Sequence, residues 1–118
     1  MTDRKDVWPV RLTTTAESDF VNIIDWTADR FGTAQASAYT STLLDALESL
    51  QQGADEFGVK PLDFPESGIF TLHAARGGRR ARHFIVFRIE SDVNSTYIQV
   101  LRILHDSMDL SRHGSEAP

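Results

Sequence analysis

The chain has 118 residues, of which 41% are hydrophobic and 25% are charged. This length and composition predict one folded domain over residues 1–118, because a single core is rarely divided below about 200 residues and disordered chains are less apolar. The lack of cysteine excludes disulfides, thiolate catalysis and cysteine-based metal centres. No apolar run reaches the roughly 20 residues of a membrane-spanning helix, so we expect a cytoplasmic protein without a membrane partner.

The net charge of -5 conceals an uneven distribution. Residues 1–70 hold five Lys or Arg against twelve Asp or Glu, whereas residues 71–105 hold six Arg against two acidic residues. The acidic first part disfavours direct nucleic-acid binding, and the arginines of the second part suit carboxylates or phosphates. The four histidines show no metal-ligand spacing, so we expect no metal and no cofactor.

The first part of the chain predicts a strand and a helix. Residues 7–13 are typical of a short strand, and Thr14 followed by Glu17 forms a capping box that predicts a helix start at Thr14. Trp26 lies off the apolar stripe of this helix. The stripe itself falls on one face at helical spacing and consists of Ala16, Phe20, Ile23, Ile24, Thr27 and Phe31.

A second helix completes an antiparallel helical hairpin. Gly32 ends the first helix, Thr33 caps the second, and the second ends at Gly53. Its apolar face comprises Ala36, Tyr39, Leu43, Ala46, Leu47 and Leu50. Residues 53–68 contain three Gly and two Pro, and they predict an ordered crossing loop that buries Phe57, Val59, Leu62 and Phe64.

Three further strands are predicted over residues 69–75, 81–90 and 96–104, with Gly77 and Gly78 in a type I′ turn between the first two. The predicted fold class is therefore α+β. We expect an N-terminal strand and an antiparallel helical hairpin packed on a mainly antiparallel four-stranded sheet, followed by a short polar C-terminal turn. Residues 1–6 and 114–118 have nothing to bury and are expected to be flexible.

The turn predicts which residues share a sheet face. Pairing of Leu72 with His83 directs one set of side chains toward the helices: Phe70, Leu72, Ala74, His83, Ile85, Phe87 and Ile89. The other set forms a cationic outer face: Thr71, His73, Arg82, Phe84, Val86 and Arg88. Pairing of Glu90 with Thr96 would add Ile98, Val100, Arg102 and Leu104 to the outer face, place Tyr97 on the other face, and leave His105 at the outer rim.

Two segments carry a family resemblance. The segments "HFIVFRIE" and "IQVLRILHDSMD" resemble the ParE toxin pattern of an aromatic-Arg strand followed by Arg-Ile-Leu-His-x-x-Met-Asp. The matching residues are Phe87, Arg88, Arg102, Ile103, Leu104, His105, Met108 and Asp109. The helical part resembles the opening of ParE and RelE toxins through Ala16, Asp19, Phe20, Ile23, Trp26, Gly32, Ala36, Tyr39 and Leu43.

This resemblance implies a toxin of a type II toxin-antitoxin system, a class associated with plasmid stabilization. A cognate antitoxin would neutralise it, and its target would be DNA gyrase, so that the protein inhibits a topoisomerase rather than catalysing a reaction. The residues expected to contact antitoxin or target are Arg82, Arg88, Arg102, His105, Met108, Asp109 and Trp26.

The RelE branch implies an alternative, which is a ribosome-dependent messenger RNA endonuclease. Its chemistry would need His105 or His73 for proton transfer and arginines for the phosphate, namely Arg82, Arg88 or Arg102. The acidic helical part and the lack of lysine in this region disfavour that branch. Each residue also has a structural interpretation: His105 and His83 as hydrogen-bonded histidines, Arg88 and Arg102 as partners of nearby carboxylates, and Trp26 as covered by the crossing loop.

Overall fold

The computed structural model describes residues 7–55, 58–62 and 68–108. Its elements are β1 (Val10–Leu12), α1 (Thr14–Phe31), α2 (Thr33–Ser49), a 3-10 helix (Leu50–Asp55), β2 (Lys60–Pro61), β3 (Ile69–His73), β4 (His83–Ser91) and β5 (Thr96–His105). Among these residues, neither helix is long and apolar enough to cross a membrane. The predictions for residues 1–6 and 114–118, for Phe57 and Phe64, and for Asp109 lie outside the described residues.

The predicted α+β class is confirmed, with one additional strand. The sheet has five strands in the order β1-β5-β4-β3-β2, where β1 is parallel to β5 and all other pairs are antiparallel. The prediction of four strands is wrong because Lys60 and Pro61, within the crossing loop, pair with Thr71 and Phe70. Proline at this position is tolerated because β2 is an edge strand.

The helical hairpin is confirmed, although both predicted caps are shifted by one residue. Thr13, not Thr14, caps α1, since its hydroxyl accepts a hydrogen bond from the amide of Ala16 at 3.1 Å. Gly32 has φ 93°, a conformation that favours glycine, and it serves both as C-cap of α1 and as N-cap of α2. Thr33 is therefore the first residue of α2 rather than its cap.

The second helix also ends earlier than predicted. Helix α2 stops at Ser49, and the chain continues as a 3-10 helix past Gly53. A Cβ atom at Gly53 would lie 2.5 Å from the ring of Trp8, so only glycine allows this ring to pack there.

The core lies between the helical hairpin and the inner face of the sheet, the face turned toward the helices. Its buried residues are Ala16, Leu43, Ala46, Leu47, Leu50, Leu72, Ala74, Ile85, Phe87, Ile98, Val100 and Ile103. Phe20, Ile23 and Ile24 pack against this core as the stripe predicts, as does Val59 of the crossing loop. Phe31 is 61% exposed, contrary to prediction, because α1 ends there and the ring packs on Trp26 instead.

The hairpin of β3 and β4 confirms the predicted faces although its pairing differs. The turn at Gly77 and Gly78 has φ values of 57° and 80°, and the amide of Arg79 donates to the carbonyl of Arg76 at 2.9 Å. Leu72 pairs with Ile85 rather than with His83. Since side chains alternate with a period of two, this two-residue shift leaves every predicted face assignment unchanged.

A β-bulge in β5 overturns part of the predicted outer face. Glu90 pairs with Tyr97 rather than with Thr96, and the register then shifts between Val86 and Phe87, which pair with Arg102 and Val100. Leu101 is the extra residue. Arg102 and Leu104 therefore lie on the outer face as predicted, whereas Ile98 and Val100 are fully buried on the inner face and Tyr97 lies on the outer face.

The start of α1 covers the edge of β5 where β1 has ended. The amide of Thr13 donates to the carbonyl of Val100 at 3.0 Å, and the hydroxyl of Thr13 donates to the carbonyl of Leu101 at 3.2 Å. Six residues later, the carboxylate of Asp19 accepts the amide of Ile103 at 2.9 Å and binds the guanidinium of Arg102 at 2.8 and 3.1 Å. The side chains of Thr13 and Asp19 thus form hydrogen bonds with the edge of β5 that a neighbouring strand would otherwise form.

Removal of this carboxylate is expected to destabilise the fold. Asp19→Ala would leave the Ile103 amide and the Arg102 guanidinium without their acceptor, which we expect to lower the free energy of unfolding by about 2 kcal/mol. Urea denaturation measures this value. The matched control is Asp25→Ala, which removes an exposed carboxylate from the same helix and should change stability by less than about 0.5 kcal/mol. Equal effects of the two substitutions would contradict the proposed role of Asp19.

Candidate functional site

Three of the predicted site residues, His73, Arg82 and His105, meet at one end of the sheet, whereas Arg88, Arg102 and Trp26 lie away from it. Here β3 ends, β4 begins and β5 ends, so that five polar side chains come together. We call this group the rim; it consists of His73, Arg82, His83, His105 and Asp106. The strand alternation divides it, with one cluster on the outer face and another on the inner face.

The outer part of the rim is organised by Asp106. Its carboxylate accepts hydrogen bonds from His73 Nε2 at 2.9 Å and from Arg82 Nε at 3.1 and 3.2 Å, and it lies 3.0 Å from an Arg82 Nη atom. The hydrogen bonds from Arg82 and then His73 lower the pKa of Asp106 to about 2. His73 Nδ1 accepts the amide of Ala75 at 3.0 Å, so both ring nitrogens of His73 are already in use.

The inner part of the rim is built on Tyr39 of α2. The Tyr39 hydroxyl accepts the amide of Arg82 at 2.9 Å and donates to His83 Nδ1 at 2.7 Å. Burial, together with the nearby His105, lowers the pKa of His83 to about 4. Burial also raises the pKa of the Tyr39 hydroxyl. His83 is therefore a hydrogen-bonded neutral imidazole near pH 7, as its position on the core face predicts.

The location of His105 corrects the predicted outer rim. His105 pairs with His83, so its ring lies on the inner face, with the two ring centroids 5.3 Å apart. Its Nδ1 atom accepts the amide of Ser107 at 3.1 Å and lies 2.8 Å from the Ser107 hydroxyl. Strand alternation explains why residues 103 and 105 point inward while Arg102 and Leu104 point outward, and the bulge at Leu101 explains why Ile98 and Val100 point inward as well.

Each predicted arginine of the outer face has an acidic partner. Arg82 binds Asp106, Arg102 binds Asp19, and Arg88 Nε lies 2.7 Å from a carboxylate oxygen of Glu90. The middle of this face is also buried, namely at Thr71, Val86 and Leu104. The outer face is therefore less open and less cationic than the arginine count predicts.

A groove lies on the inner side, between the end of α1, helix α2 and residues 75–82. Its volume is about 970 Å³. Trp26 is 53% exposed and lines this groove, so the interpretation that the crossing loop covers it is wrong. Met108 follows the rim and is 42% exposed, with its amide bonded to the carbonyl of His105.

Sequence reasoning did not identify Tyr39 and Asp106 as the centres of the two clusters. Tyr39 was assigned to the core stripe of α2, and nothing in its helical spacing indicates that the hydroxyl contacts β4. Asp106 follows directly after β5, which is the only local signal that it lies beside the ends of β3 and β4. Within the described part of the chain, no group of three or more His, Asp or Glu could hold a metal ion.

Comparison with known proteins identifies one matching family. The sequence model described as the ParE toxin of type II toxin-antitoxin systems (ParDE) matches residues 10–110. Curated protein sequences give no match.

Solved toxin and toxin-antitoxin structures have similar folds. A chromosomal ParDE toxin-antitoxin system from P. aeruginosa aligns with a TM-score of 0.66 and 24% identity, covering 85% of this chain and 97% of that chain. The RelBE2 toxin-antitoxin complex from Mycobacterium tuberculosis aligns at 0.54 with 22% identity, covering 84% and 98%. A YoeB/ParE toxin from Agrobacterium tumefaciens aligns at 0.55 with 12% identity, covering 82% and 96%. At these identities the alignments show the shared fold alone.

The half-buried His83 predicts that stability depends on pH. Unfolded His83 binds a proton below about pH 6.5, whereas the folded form binds one only near pH 4, so acid favours the unfolded state between these values. We expect stability to fall by about 2 kcal/mol over this window, allowing for solvent screening of a half-buried ring. Urea midpoints between pH 4 and 7 measure the slope.

Two variants separate the contributions to this pH dependence. His83→Gln should flatten the slope between pH 6.5 and 4. Asp106→Asn should keep that slope, because the Asp106 carboxylate stabilises the fold above its ordinary pKa and loses this effect only as the pH falls toward about 2. An unchanged slope in His83→Gln would refute the assignment to His83.

Proposed function

Because the chain belongs to the ParE toxin family of type II toxin-antitoxin systems, we propose that it arrests growth by poisoning DNA gyrase and is neutralised by a cognate antitoxin. The gyrase target follows from the resemblance of the C-terminal motif to the ParE branch. The competing function is ribosome-dependent cleavage of messenger RNA, since a RelBE2 complex shares the fold. Either target lies in the cytoplasm, which is the proposed place of action.

The separation of the candidate nuclease residues carries this proposal. Cleavage by the 2′-hydroxyl requires a base, an acid and an unpaired cation around one phosphate. Here Arg102 is held at 2.8 Å by Asp19, and Arg88 is held at 2.7 Å by Glu90. His105 lies on the opposite face of the sheet from both arginines, and His73 is engaged by Asp106 and Ala75. This arrangement favours binding over catalysis.

An antitoxin partner is supported by two of the similar structures, which are described as a ParDE system and a RelBE2 complex. The most exposed of the proposed contact residues are Arg82 and Trp26, and Met108, Arg88, Arg102 and His105 are partly exposed. An acidic antitoxin segment that folds on binding would complement the arginines. Asp109 belongs to the same proposed set through the family motif.

The decisive experiment compares both activities of the purified toxin. We expect inhibition of gyrase supercoiling with accumulation of cleaved DNA, and intact message in a reconstituted translation reaction. Message cleavage at the ribosome with unaffected supercoiling would overturn the proposal in favour of the RelE-type nuclease.

A variant of His73 tests the mechanism in cells. His73→Gln retains an amide that can donate to Asp106 but cannot transfer a proton, so growth arrest after induction should remain within about twofold, whereas a general acid or base would cost at least about 100-fold. Circular dichroism and thermal melting establish that the variant is folded. A folded His73→Gln protein without toxicity would support the nuclease.

A further inference from the structure

Two histidines face each other across the last pair of β4 and β5. His83 pairs with His105, and their ring centroids are 5.3 Å apart with the ring planes at 83°. At the next position outward, the amide of Asp106 donates to the carbonyl of Arg82 at 2.7 Å. Because hydrogen-bonded and non-hydrogen-bonded pairs alternate along an antiparallel ladder, His83 and His105 occupy a non-hydrogen-bonded pair, where side chains lie closest.

The two rings use the same nitrogen for hydrogen bonding. His83 Nδ1 lies 2.7 Å from the Tyr39 hydroxyl, and His105 Nδ1 lies 2.8 Å from the Ser107 hydroxyl. Neither Nε2 atom has a hydrogen-bond partner within the described part of the chain. Both residues line the groove beside α2, so their Nε2 atoms are the ring positions left for a ligand.

The spacing of the pair matches that of two histidines on one metal ion. Zinc binds histidine nitrogen at about 2.0–2.1 Å, and two imidazoles bound in this way at a tetrahedral angle have centroids about 5 Å apart. The observed 5.3 Å agrees with this value. Binding would therefore require rotation of the rings but no separation or approach of the strands.

The groups behind the rings can support such ligands. A metal-bound histidine usually donates its other ring N–H to an oxygen acceptor. With a metal at Nε2, the proton of each neutral ring would move to Nδ1, so that Tyr39 accepts from His83 instead of donating to it. His105 would then donate to the Ser107 hydroxyl, with a carboxylate oxygen of Asp106 3.7 Å from its Nδ1.

Two other interactions influence the strength of binding. The amide of Ser107 donates to His105 Nδ1 at 3.1 Å and would lose that acceptor, so we expect a moderate affinity and a shift of the turn after β5. Arg82, which precedes His83, is paired with Asp106 at 3.0 Å, and this pairing reduces its repulsion of a cation.

We propose that His83 and His105 bind a divalent transition cation, of the class of zinc, nickel and copper, through their Nε2 atoms. Imidazole ligands favour these ions. Among the described residues no third His, Asp or Glu completes a metal-binding group, so water would fill the remaining positions and the site would be open and exchangeable. The ion would tie the end of β4 to the end of β5, whichever target the toxin has. The spacing of the histidines in the sequence does not indicate this site, because its two ligands meet only through strand pairing.

Titration calorimetry of the full chain tests for the ion. We expect one ion per chain for Zn²⁺, Ni²⁺ and Cu²⁺, with Cu²⁺ bound most tightly, and no binding of Mg²⁺, which prefers oxygen ligands. Failure of all three transition ions to bind, or equal binding of Mg²⁺, would overturn the proposal.

Variants of the four histidines locate the site. His83→Gln and His105→Gln should each weaken Ni²⁺ binding by at least about 100-fold, since loss of a supporting residue alone costs about 10- to 100-fold. The matched controls are His73→Gln, on the outer face of the rim, and His113→Gln, and each should change the affinity by less than about twofold. Equal losses in all four variants, or full binding in folded His83→Gln or His105→Gln, would refute the site.

Nuclear magnetic resonance of the wild-type protein tests the site without any substitution, which matters if His83→Gln does not fold. Substoichiometric Cu²⁺ is paramagnetic and should broaden the ring signals of His83 and His105 together, before those of His73. Broadening that begins at His73, or that reaches only one ring of the pair, would contradict shared binding.

Discussion

The carboxylate of Asp19 is the contact on which the arrangement of helices and sheet depends. Strand β5 continues beyond its short partner β1, and its free edge would otherwise leave a backbone amide unpaired. Asp19 accepts that amide, from Ile103, and the same carboxylate holds Arg102 at two points. Helix α1 is thereby seated against β5 at the bulge, which directs Arg102 outward and Ile103 into the core. One side chain thus joins the helical hairpin to the last residues of β5.

At the rim, the two faces of the sheet differ in structure. On the outer face, Asp106 holds Arg82 and His73 by hydrogen bonds, Asp19 holds Arg102 likewise, and Arg88 lies within ion-pair distance of Glu90. On the inner face, Tyr39 and His83 form the floor of a groove with exposed aromatic and cationic walls. Polar groups whose hydrogen bonds are mutually satisfied form a rigid surface, which suits recognition. This distinction supports inhibition by binding within a fold that the RelBE2 complex also shows.

Much of the fold was predictable because local patterns are redundant. The apolar spacing of both helices, the glycine between them and the glycine pair between β3 and β4 each indicate the observed element. Errors of one residue at the caps of α1 and α2 moved no side chain from one face to another. The two-residue error in pairing β3 with β4 was also harmless, since an even shift preserves strand faces. Trp26 was correctly placed off the packing stripe, but the helical period left open whether the crossing loop covers it, and the structure shows that it is exposed.

Less of the candidate site than of the fold could be predicted from the sequence. Helical and strand periods are set by residues two to four positions apart, so they identified the inner face of the sheet and the arginines opposite it, while the family motif came from the resemblance of two segments to ParE toxins. They contain no information on which distant groups meet. The pairing of Arg102 with Asp19 spans 83 positions, the Tyr39 to His83 bond spans 44, and the bulge at Leu101 arises where β5 must accommodate both β4 and α1. Only the packed chain therefore decided that Ile98 and Val100 face inward, that Arg82 and Arg102 are neutralised and that a groove opens beside Arg80, because each depends on contacts between elements far apart in sequence.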